Sequence, residues 1–333
     1  MVWTIGIIGA GGWGTALAKI LCEKGSEVVL WCRSEESFRN LLDLRTNPAY
    51  LPGIAVPASV RITRSIEEAV TDKKFLLCTV PSHGVRETLS LAASCLDPHA
   101  LVVCGTKGIE EGSQKTMGEV LSEVLGSDAA ERLAFLSGPT FAIEVGRGLP
   151  AAVTVAARSE SVARGVQEAL STPNFRIYTS RDVVGVQVGG AVKNVIAIAA
   201  GISDGLELGA NSRAALITRG LAEMTRLAVR MGGEPLTLSG LAGLGDLVLT
   251  CTGDLSRNRK VGVDIGRGHK IGEILAGMRM IAEGVRNTGT VFRLASRLHV
   301  EMPIVEQMQL VINDGKDPMA AVRDLMQRSL KAE

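Results

Sequence analysis

Aromatic side chains are scarce in this chain: Phe, Trp and Tyr make up only 3% of its 333 residues. The formal net charge is +1, and charges of both signs are scattered along the chain instead of being gathered in basic runs. A nucleic-acid surface needs concentrated positive charge, and a single-strand platform needs stacking rings. Neither is indicated, so nucleic-acid partners are not expected.

Cysteine and histidine patterns that would mark a metal site are also missing. The six cysteines form no CxxC motif and no paired spacing with the four histidines. Several lie in apolar, strand-like runs, which is typical of reduced, buried thiols in a cytosolic protein. The first residues, MVWTIGIIGAGGWG, lack the basic region and cleavage site of a signal peptide. We therefore expect a soluble, cytoplasmic protein without a metal.

The longest apolar stretch, residues 183–204, is near the length that a membrane span requires. Gln187, Lys193 and Asn194 interrupt it near the centre, and basic or aromatic anchors do not flank it. A central lysine costs roughly 2.5–3.5 kcal/mol on membrane-insertion scales. The better interpretation is a buried core helix of about five to six turns in a soluble protein.

Lys193 is therefore a candidate catalytic residue. A lysine packed among glycine and alanine loses hydration, which lowers its pKa and lets its amine exchange a proton near neutrality. The alternative is a lysine that extends to an ion pair and has no role in catalysis.

A glycine fingerprint, Gly9-Ala10-Gly11-Gly12-Trp13-Gly14, stands between an apolar strand-like run and a helical pattern. In a dinucleotide-binding motif, Gly9 permits the tight turn, Gly11 lets the backbone approach a pyrophosphate, and Gly14 allows close packing of helix and strand. The helix N-terminus then offers free N–H groups to the phosphates. This context predicts a nicotinamide dinucleotide as cofactor.

The end of the second strand-like run indicates which dinucleotide is preferred. An NAD site carries an acid there, whereas this chain has Arg33 and Ser34, which suit the 2′-phosphate of NADP. A solvated surface arginine is the alternative. We therefore expect NADP(H) to be preferred, with NAD(H) possible.

Strand-like and helical patterns alternate in the first half of the chain, which predicts an α/β fold with a doubly wound, largely parallel, Rossmann-like sheet. After Asp182 nearly all patterns are helical, so an all-α C-terminal domain follows. At this length two domains are expected, over residues 1–182 and 183–333. The predicted strands are 3–8, 27–31, 60–63, 75–80, 101–104, 133–136, 152–156 and 175–178, and the predicted helices between them are 65–70, 84–95, 114–125 and 160–170.

Ligands of such sheets bind beyond the carboxyl ends of the strands. Lys107, between two glycines after one strand, is typical of an anion contact, with a solvated loop lysine as the alternative. In Gly138-Pro139-Thr140 the proline fits a first helical position, which would direct free N–H groups towards the crevice. His83 is a lone loop histidine and stays outside the predicted catalytic set.

Two polar groups interrupt the apolar helical half. Asp246 follows three glycines and would share a helix face with Thr250, so a buried carboxylate there needs a partner such as Lys193. An N-cap aspartate after a glycine turn is the alternative. Arg257 offers a guanidinium fork between two polar neighbours, as phosphate recognition requires. Residues 281–285 read as a hairpin or loop whose acid, Glu283, could reach a ribose.

These motifs together resemble one known family, the bacterial-type NAD(P)-dependent glycerol-3-phosphate dehydrogenases, over essentially the whole chain. The resemblance rests on GAGGWG, VPSH, GTKG, SGPTFA, GVQVGGAVKNVIAIAAG, ALITRGLAEM, GLAGLGDLVLTCT and SRNR, in this order. It implies reversible hydride transfer between NAD(P)H and dihydroxyacetone phosphate, which gives sn-glycerol 3-phosphate for phospholipid synthesis. A homodimer is a possible assembly.

The resemblance also implies roles for individual residues. Lys193 would be the proton-transfer residue. Substrate contacts would be made by Lys107, Gly138, Thr140, Lys193, Asp246, Ser256, Arg257 and Asn258. Cofactor contacts would be made by Gly9, Gly11, Gly12, Trp13, Gly14, Arg33, Tyr50, Lys107, Ala142, Arg257, Ile281 and Glu283.

Two other functions remain open on the sequence. One is a related dehydrogenase that acts on a carboxylate-bearing hydroxy acid. The other is an NADP-binding sensor without catalysis, which would not need a buried lysine and a buried aspartate.

Overall fold

The computed structural model describes residues 2–278, 282–330 and 332. Its strands are, in chain order, β1 (Thr4–Ile8), β2 (Glu27–Trp31), β3 (Thr46–Asn47), β4 (Leu51–Ala55), β5 (Arg61–Thr63), β6 (Phe75–Cys78), β7 (Leu101–Cys104), β8 (Leu133–Ser137), β9 (Ala151–Ala157) and β10 (Phe175–Ser180). The eight predicted strands are confirmed to within two residues at each end. The short hairpin β3–β4 was not predicted.

The helices begin with seven in the sheet half, which we define as the described residues up to 182. They are α1 (Gly12–Glu23), α2 (Glu35–Asp43), α3 (Ile66–Val70), α4 (Val85–Ala92), α5 (Met117–Leu125), α6 (Ala142–Gly146) and α7 (Glu160–Leu170). The helical half follows. It contains α8 (Val183–Gly205), α9 (Gly209–Arg230), α10 (Pro235–Leu238), α11 (Asp246–Thr252), α12 (Arg257–Gly266), α13 (Ile271–Ala276), α14 (Glu283–Arg297), α15 (Pro303–Asn313) and α16 (Pro318–Met326).

The main sheet has the strand order β10-β9-β8-β7-β6-β1-β2-β5. Strands β8 to β5 in this order are mutually parallel, whereas β9 is antiparallel to β8 and parallel to β10. The predicted largely parallel, doubly wound sheet is confirmed. The chain leaves β1 towards β2 and β5 and returns to β1's other side as β6. This reversal opens a crevice beyond the carboxyl ends of β1 and β6, where dinucleotides bind in such sheets.

Apolar side chains form one core on each face of the sheet and a third core in the helical half. Helix α8 is the centre of the third core and packs against α9, α11, α12 and α14. Its first turns also contact the sheet half, because Gln187 Oε1 accepts a hydrogen bond from the Gly118 N–H at 2.7 Å. The central helix therefore joins the two halves of the molecule.

Helix α8 is packed at unusually short range because glycines line its contact with α12. A Cβ placed on Gly262 would lie 2.1 Å from the carbonyl oxygen of Ile198, and one on Gly201 would lie 2.1 Å from that of Arg259. No residue other than glycine fits these positions without separating the helices.

Two stretches, Val183–Gly205 and Pro235–Thr252, are long and apolar enough for a membrane span by composition alone. In the first, 83% of the most apolar window is buried within the protein. This agrees with the core-helix interpretation of residues 183–204.

Candidate active site

The glycine fingerprint forms the turn from β1 into α1. Gly9 has φ +114°, a conformation that favours glycine, and a Cβ on Gly14 would lie 1.9 Å from the Gly9 carbonyl oxygen. Gly11 precedes α1 without a side-chain cap, and a Cβ there would meet no atom within 4 Å. No side chain therefore caps the first N–H groups of α1, and the space beside Gly11 is open, as a pyrophosphate site requires.

Asn47, which sequence reasoning missed, braces this turn from the β3–β4 hairpin. Its Nδ2 donates to the Ala10 carbonyl oxygen at 2.9 Å and to Thr15 Oγ1 at 2.8 Å, and the side chain is buried. These bonds hold the loop and the helix start in one fixed relation. Its partners are 37 and 32 residues away, so the local sequence gave no signal for it.

Four of the cofactor contacts that the family resemblance implies lie close together around the first turn of α1. A Cβ on Gly12 would lie 2.6 Å from the Tyr50 carbonyl oxygen and 3.6 Å from Ala142 Cβ. Trp13 lies next to Gly105, with its Nε1 2.9 Å from where a Cβ would stand, and its ring is 6.0 Å from that of Phe175. The structure brings Gly12, Trp13, Tyr50 and Ala142 to one edge of the crevice.

At the end of β2, Ser34 has a role different from the one predicted. Its Oγ accepts from Ser37 N at 3.1 Å and donates to Ser37 Oγ at 2.9 Å, so it caps α2. Arg33 is exposed and makes no hydrogen bond or ion pair with any described residue. Of this predicted pair, only Arg33 is free for a ligand.

A buried lysine–aspartate cluster lies where α8 meets α11. Lys193 Nζ forms an ion pair with Asp246 Oδ1 and donates to Thr250 Oγ1 at 2.9 Å. Lys107 Nζ binds the other carboxylate oxygen, Oδ2, at 2.5 Å and the Gly138 carbonyl oxygen at 3.2 Å. The predicted pairing of Lys193 with Asp246 is confirmed. The N-cap alternative for Asp246 is wrong, because Gly245 occupies the N-cap position.

Burial and charge shift the pKa values of this cluster. Loss of hydration lowers the pKa of Lys193 to about 8; Asp246 opposes the decrease and Lys107 adds to it. Burial alone would raise the pKa of Asp246, but the charges of Lys107 and Lys193 hold it below its ordinary value. The lysine can therefore exchange a proton close to neutral pH beside a carboxylate whose ionised form is favoured.

Gly138 shapes the wall opposite α8. Its φ is +152°, and a Cβ would lie 2.8 Å from Val153 Cα. Thr140 donates to the Gly138 carbonyl oxygen at 3.2 Å. The prediction of a helix starting at Pro139 is wrong, because the chain bends at Gly138 and Pro139 and α6 begins only at Ala142. The N–H groups of a helix start are therefore not available at Pro139.

The N-terminus of α12 lies beside the cluster on the central helix. Ser256 caps it by accepting from Arg259 N at 3.2 Å. The Asn258 amide donates to Asn194 Oδ1 and accepts from Gly284 N, both at 2.9 Å. Arg257 is exposed and forms no hydrogen bond or ion pair with any residue the structure describes. A cation at a helix N-terminus with its donors unused is suited to an anion.

Glu283 connects the two halves at the crevice. It begins α14, so the predicted hairpin or loop at residues 281–285 is wrong from Glu283 onward. Its carboxylate accepts from Ser82 Oγ at 2.8 Å and from Ser82 N at 3.3 Å, in the turn after β6. Ser82 was missed because its partner lies 201 residues away. Ile281 lies outside the described residues.

Among the described residues, no group of three or more His, Cys, Asp and Glu side chains is arranged to hold a metal ion. The donors that meet at the site are instead lysine, threonine, asparagine and arginine. Together with the sheet topology and the glycine turn, they define a class: a nicotinamide-dependent dehydrogenase with a Rossmann-like sheet and a catalytic helical half.

The family models narrow this class. The model described as NAD-dependent glycerol-3-phosphate dehydrogenase N-terminus matches residues 4–163, and the model of the C-terminus matches residues 182–323. The chain belongs to the NAD-dependent glycerol-3-phosphate dehydrogenase family, as its motifs indicated.

Individual relatives agree with the family models. The chain is 53% identical over 333 residues to the glycerol-3-phosphate dehydrogenase [NAD(P)+] of Citrifermentans bemidjiense, and the match covers 100% of this chain and 99% of the relative. It is similar to the crystal structure of glycerol-3-phosphate dehydrogenase from Coxiella burnetii, with a TM-score of 0.93 and 39% identity over 98% of this chain and 99% of that one. A ketopantoate reductase from Ralstonia eutropha is 14% identical over 96% and 99% of the two chains, with a TM-score of 0.60, and shares the fold alone.

Proposed function

We propose that this protein catalyses reversible hydride transfer from NAD(P)H to dihydroxyacetone phosphate, giving sn-glycerol 3-phosphate for phospholipid synthesis. Family membership supports the reaction, since the relatives carry the name of this activity. The observation that carries the chemistry is the buried Lys193–Asp246 pair. Lys107 binds the same carboxylate from the loop after β7, where Gly105 lies against Trp13 of the glycine turn.

The nicotinamide cofactor, when bound, supplies the hydride. The residues present fit it: Gly11 leaves the cradle open, and the first N–H groups of α1 are free for the pyrophosphate. Gly9, Gly12, Trp13, Gly14, Tyr50 and Ala142 would complete its contacts. Glu283, which Ser82 holds, would accept a hydrogen bond from a ribose hydroxyl.

Lys193 would act as the general acid in reduction and the general base in oxidation. Reduction of a ketone creates an alkoxide oxygen that needs a proton, and a lysine with a pKa of about 8 supplies one. Asp246 orients the ammonium group and limits how far its pKa falls. Thr250 accepts a second N–H and so fixes the direction of the third.

The substrate phosphate would bind at the start of α12. Arg257 offers an unused guanidinium fork, and the helix offers free N–H groups and a favourable dipole. Ser256 and Asn258 flank it, while Lys107, Gly138 and Thr140 would bound the substrate on the opposite side. Binding of this remote phosphate positions the carbonyl carbon for hydride transfer.

Arg33 supports a preference for NADP(H) over NAD(H), since it is an unpaired cation where an NAD site carries an acid. We further propose the division of the chain into a dinucleotide-binding domain, 1–182, and a substrate domain, 183–333. We also propose that the protein is cytoplasmic, that it has no membrane span and that it assembles as a homodimer.

One assay tests the reaction. The purified protein should oxidise NADPH when dihydroxyacetone phosphate is present and not when it is absent. The alternative of a hydroxy-acid dehydrogenase predicts faster turnover with a carboxylate-bearing keto acid such as ketopantoate. That result would replace the proposed substrate and leave the fold and the cofactor unaffected.

A further inference from the structure

Two arginines follow neighbouring strands at one edge of the sheet. β2 and β5 are parallel, with Trp31 opposite Thr63, and Cys32 N donates to the Thr63 carbonyl oxygen at 2.9 Å. Arg64 follows β5 directly and is level with Cys32, and Arg33 is one residue further along the neighbouring chain, so the two arginines are adjacent but one residue out of register. Both side chains are exposed.

Arg64 is held at the first turn of α2. Its guanidinium forms an ion pair with Glu35 Oε2, and its carbonyl oxygen accepts from Trp31 Nε1 at 3.0 Å. The other oxygen of Glu35 binds Arg39 Nε at 2.8 Å. The Arg64 and Glu35 side chains are 50% and 46% exposed, and ion pairs this open to solvent contribute little to stability. A stronger anion can therefore displace Glu35 at small cost.

A phosphate monoester is such an anion, with a charge of about −1.5 to −2 at neutral pH. It binds arginine forks in bidentate geometry, and one arginine leaves part of its charge uncompensated. Ser34 cannot be the second donor, because its hydroxyl group is used to cap α2. Arg64 follows the strand next to the one that precedes Arg33, and its guanidinium is tied only to an exposed carboxylate.

We propose that Arg64 is a specificity-determining residue for NADP(H), which binds the 2′-phosphate together with Arg33 after exchanging Glu35 for it. The inference rests on the proposed preference for NADP(H). Glu35 keeps the guanidinium at the helix start in the absence of the phosphate and competes with the phosphate for it. Arg64 is thus predicted to contact the 2′-phosphate of the cofactor and not its adenine or its pyrophosphate.

The test measures binding of two fragments, 2′,5′-ADP and 5′-AMP, to the full-length protein by titration calorimetry. Arg64→Ala should weaken 2′,5′-ADP about tenfold and change 5′-AMP by less than twofold. Arg61→Ala is the matched control, since Arg61 begins β5, the strand that Arg64 follows, and pairs with exposed Glu68 at 3.0 Å. It should leave both affinities within twofold. Glu35→Gln removes the competing carboxylate and should tighten 2′,5′-ADP at least twofold, whether or not the alanine variant folds well.

Each outcome of these titrations either supports or overturns the inference about Arg64. Equal losses for both fragments in Arg64→Ala would show that Arg64 contacts the adenosine and would overturn the inference. The inference would also be overturned if the wild type prefers 2′,5′-ADP and Arg64→Ala leaves that preference unchanged. If the wild type binds both fragments equally, the proposed NADP(H) preference itself fails. Turnover of dihydroxyacetone phosphate with either cofactor tests the reaction separately.

Discussion

Lys193 and Asp246 lie 53 positions apart in the chain and form an ion pair in which both side chains are almost fully buried. Each group compensates a charge that would otherwise be isolated from water. Removing one partner of such a pair typically costs about 3–5 kcal/mol, because the other stays charged and unpaired. The pair therefore links catalysis to stability, so for each mutation both turnover and the free energy of unfolding must be measured.

Lys193→Met should abolish most turnover while cofactor binding is retained. Methionine keeps the unbranched apolar stem but deletes the ammonium group. Loss of general acid–base catalysis predicts a decrease in kcat of about 10²–10⁴. NADPH oxidation with dihydroxyacetone phosphate measures this, and a titration with NADPH checks binding. A variant within tenfold of wild-type kcat would remove Lys193 from the proton-transfer role.

The double variant Lys193→Met/Asp246→Asn separates stability from catalysis. The single change leaves Asp246 with only Lys107 as its charged partner, so the free energy of unfolding should fall. Neutralising the carboxylate should restore part of that loss without restoring activity. Urea unfolding of the wild type, both single variants and the double variant gives the coupling energy. Additive effects of the two changes would contradict the ion pair.

The pH profile should report the pKa of Lys193, which is about 8. The ammonium form donates the proton in reduction, so kcat/KM for dihydroxyacetone phosphate should be level below pH 8 and fall above it. The neutral form accepts the proton in oxidation, so kcat/KM for glycerol 3-phosphate should fall below pH 8. Asp246 raises this pKa, so Asp246→Asn should move both limbs to lower pH. Limbs that do not move would assign the profile to another group.

The sequence predicts those parts of the site whose residues stand out against their immediate neighbours in the chain. The glycine turn is readable because its three special positions lie within six residues, between a strand and a helix. Lys193 is readable because a charge is conspicuous in an apolar helix. Asn47 and Ser82 could not be found in this way, because their partners lie far away in the chain. The helix start predicted at Pro139 is wrong by three residues, because the preference of proline for a first helical position is only local and α6 begins at Ala142 instead.

Arg257→Ala should lower kcat/KM for dihydroxyacetone phosphate by roughly 30- to 1000-fold, or about 2–4 kcal/mol, because a charge-assisted bond to phosphate is lost. Unphosphorylated dihydroxyacetone, a poor substrate, should lose almost nothing. Arg267→Ala is the matched control, since Arg267 is an exposed arginine at the other end of α12 whose guanidinium forms no hydrogen bond or ion pair with any described residue. Equal losses with the two substrates would exclude phosphate recognition by Arg257.

Ser82→Ala should weaken NADPH and NADH binding alike, by about three- to tenfold, because hydrogen bonds to charged groups contribute about 1.5–3 kcal/mol and the Ser82 N–H remains. The variant frees Glu283 to turn away from the crevice, but it does not touch the proton-transfer cluster, so kcat should change less than twofold. Ser90→Ala on the exposed face of α4 makes the same chemical change as a control. A fall in kcat with unchanged cofactor affinity would contradict a positioning role for Ser82.

Gly262→Ala should destabilise the protein and weaken substrate binding together. The added Cβ would lie 2.1 Å from the Ile198 carbonyl oxygen and 2.8 Å from Ile202 N, so α12 must move away from α8. Overpacking of this kind typically costs about 1–3 kcal/mol. Because Arg257 stands at the start of α12, the movement should also raise KM for dihydroxyacetone phosphate.

Gly272→Ala, at an exposed helical position where a Cβ meets nothing within 4 Å, should instead be neutral or stabilise by up to about 1 kcal/mol. Urea unfolding and substrate titrations of both variants measure the two effects. A Gly262→Ala protein as stable as wild type but with raised KM would show that α12 moves without strain, and equal behaviour of the two variants would contradict the close helix contact.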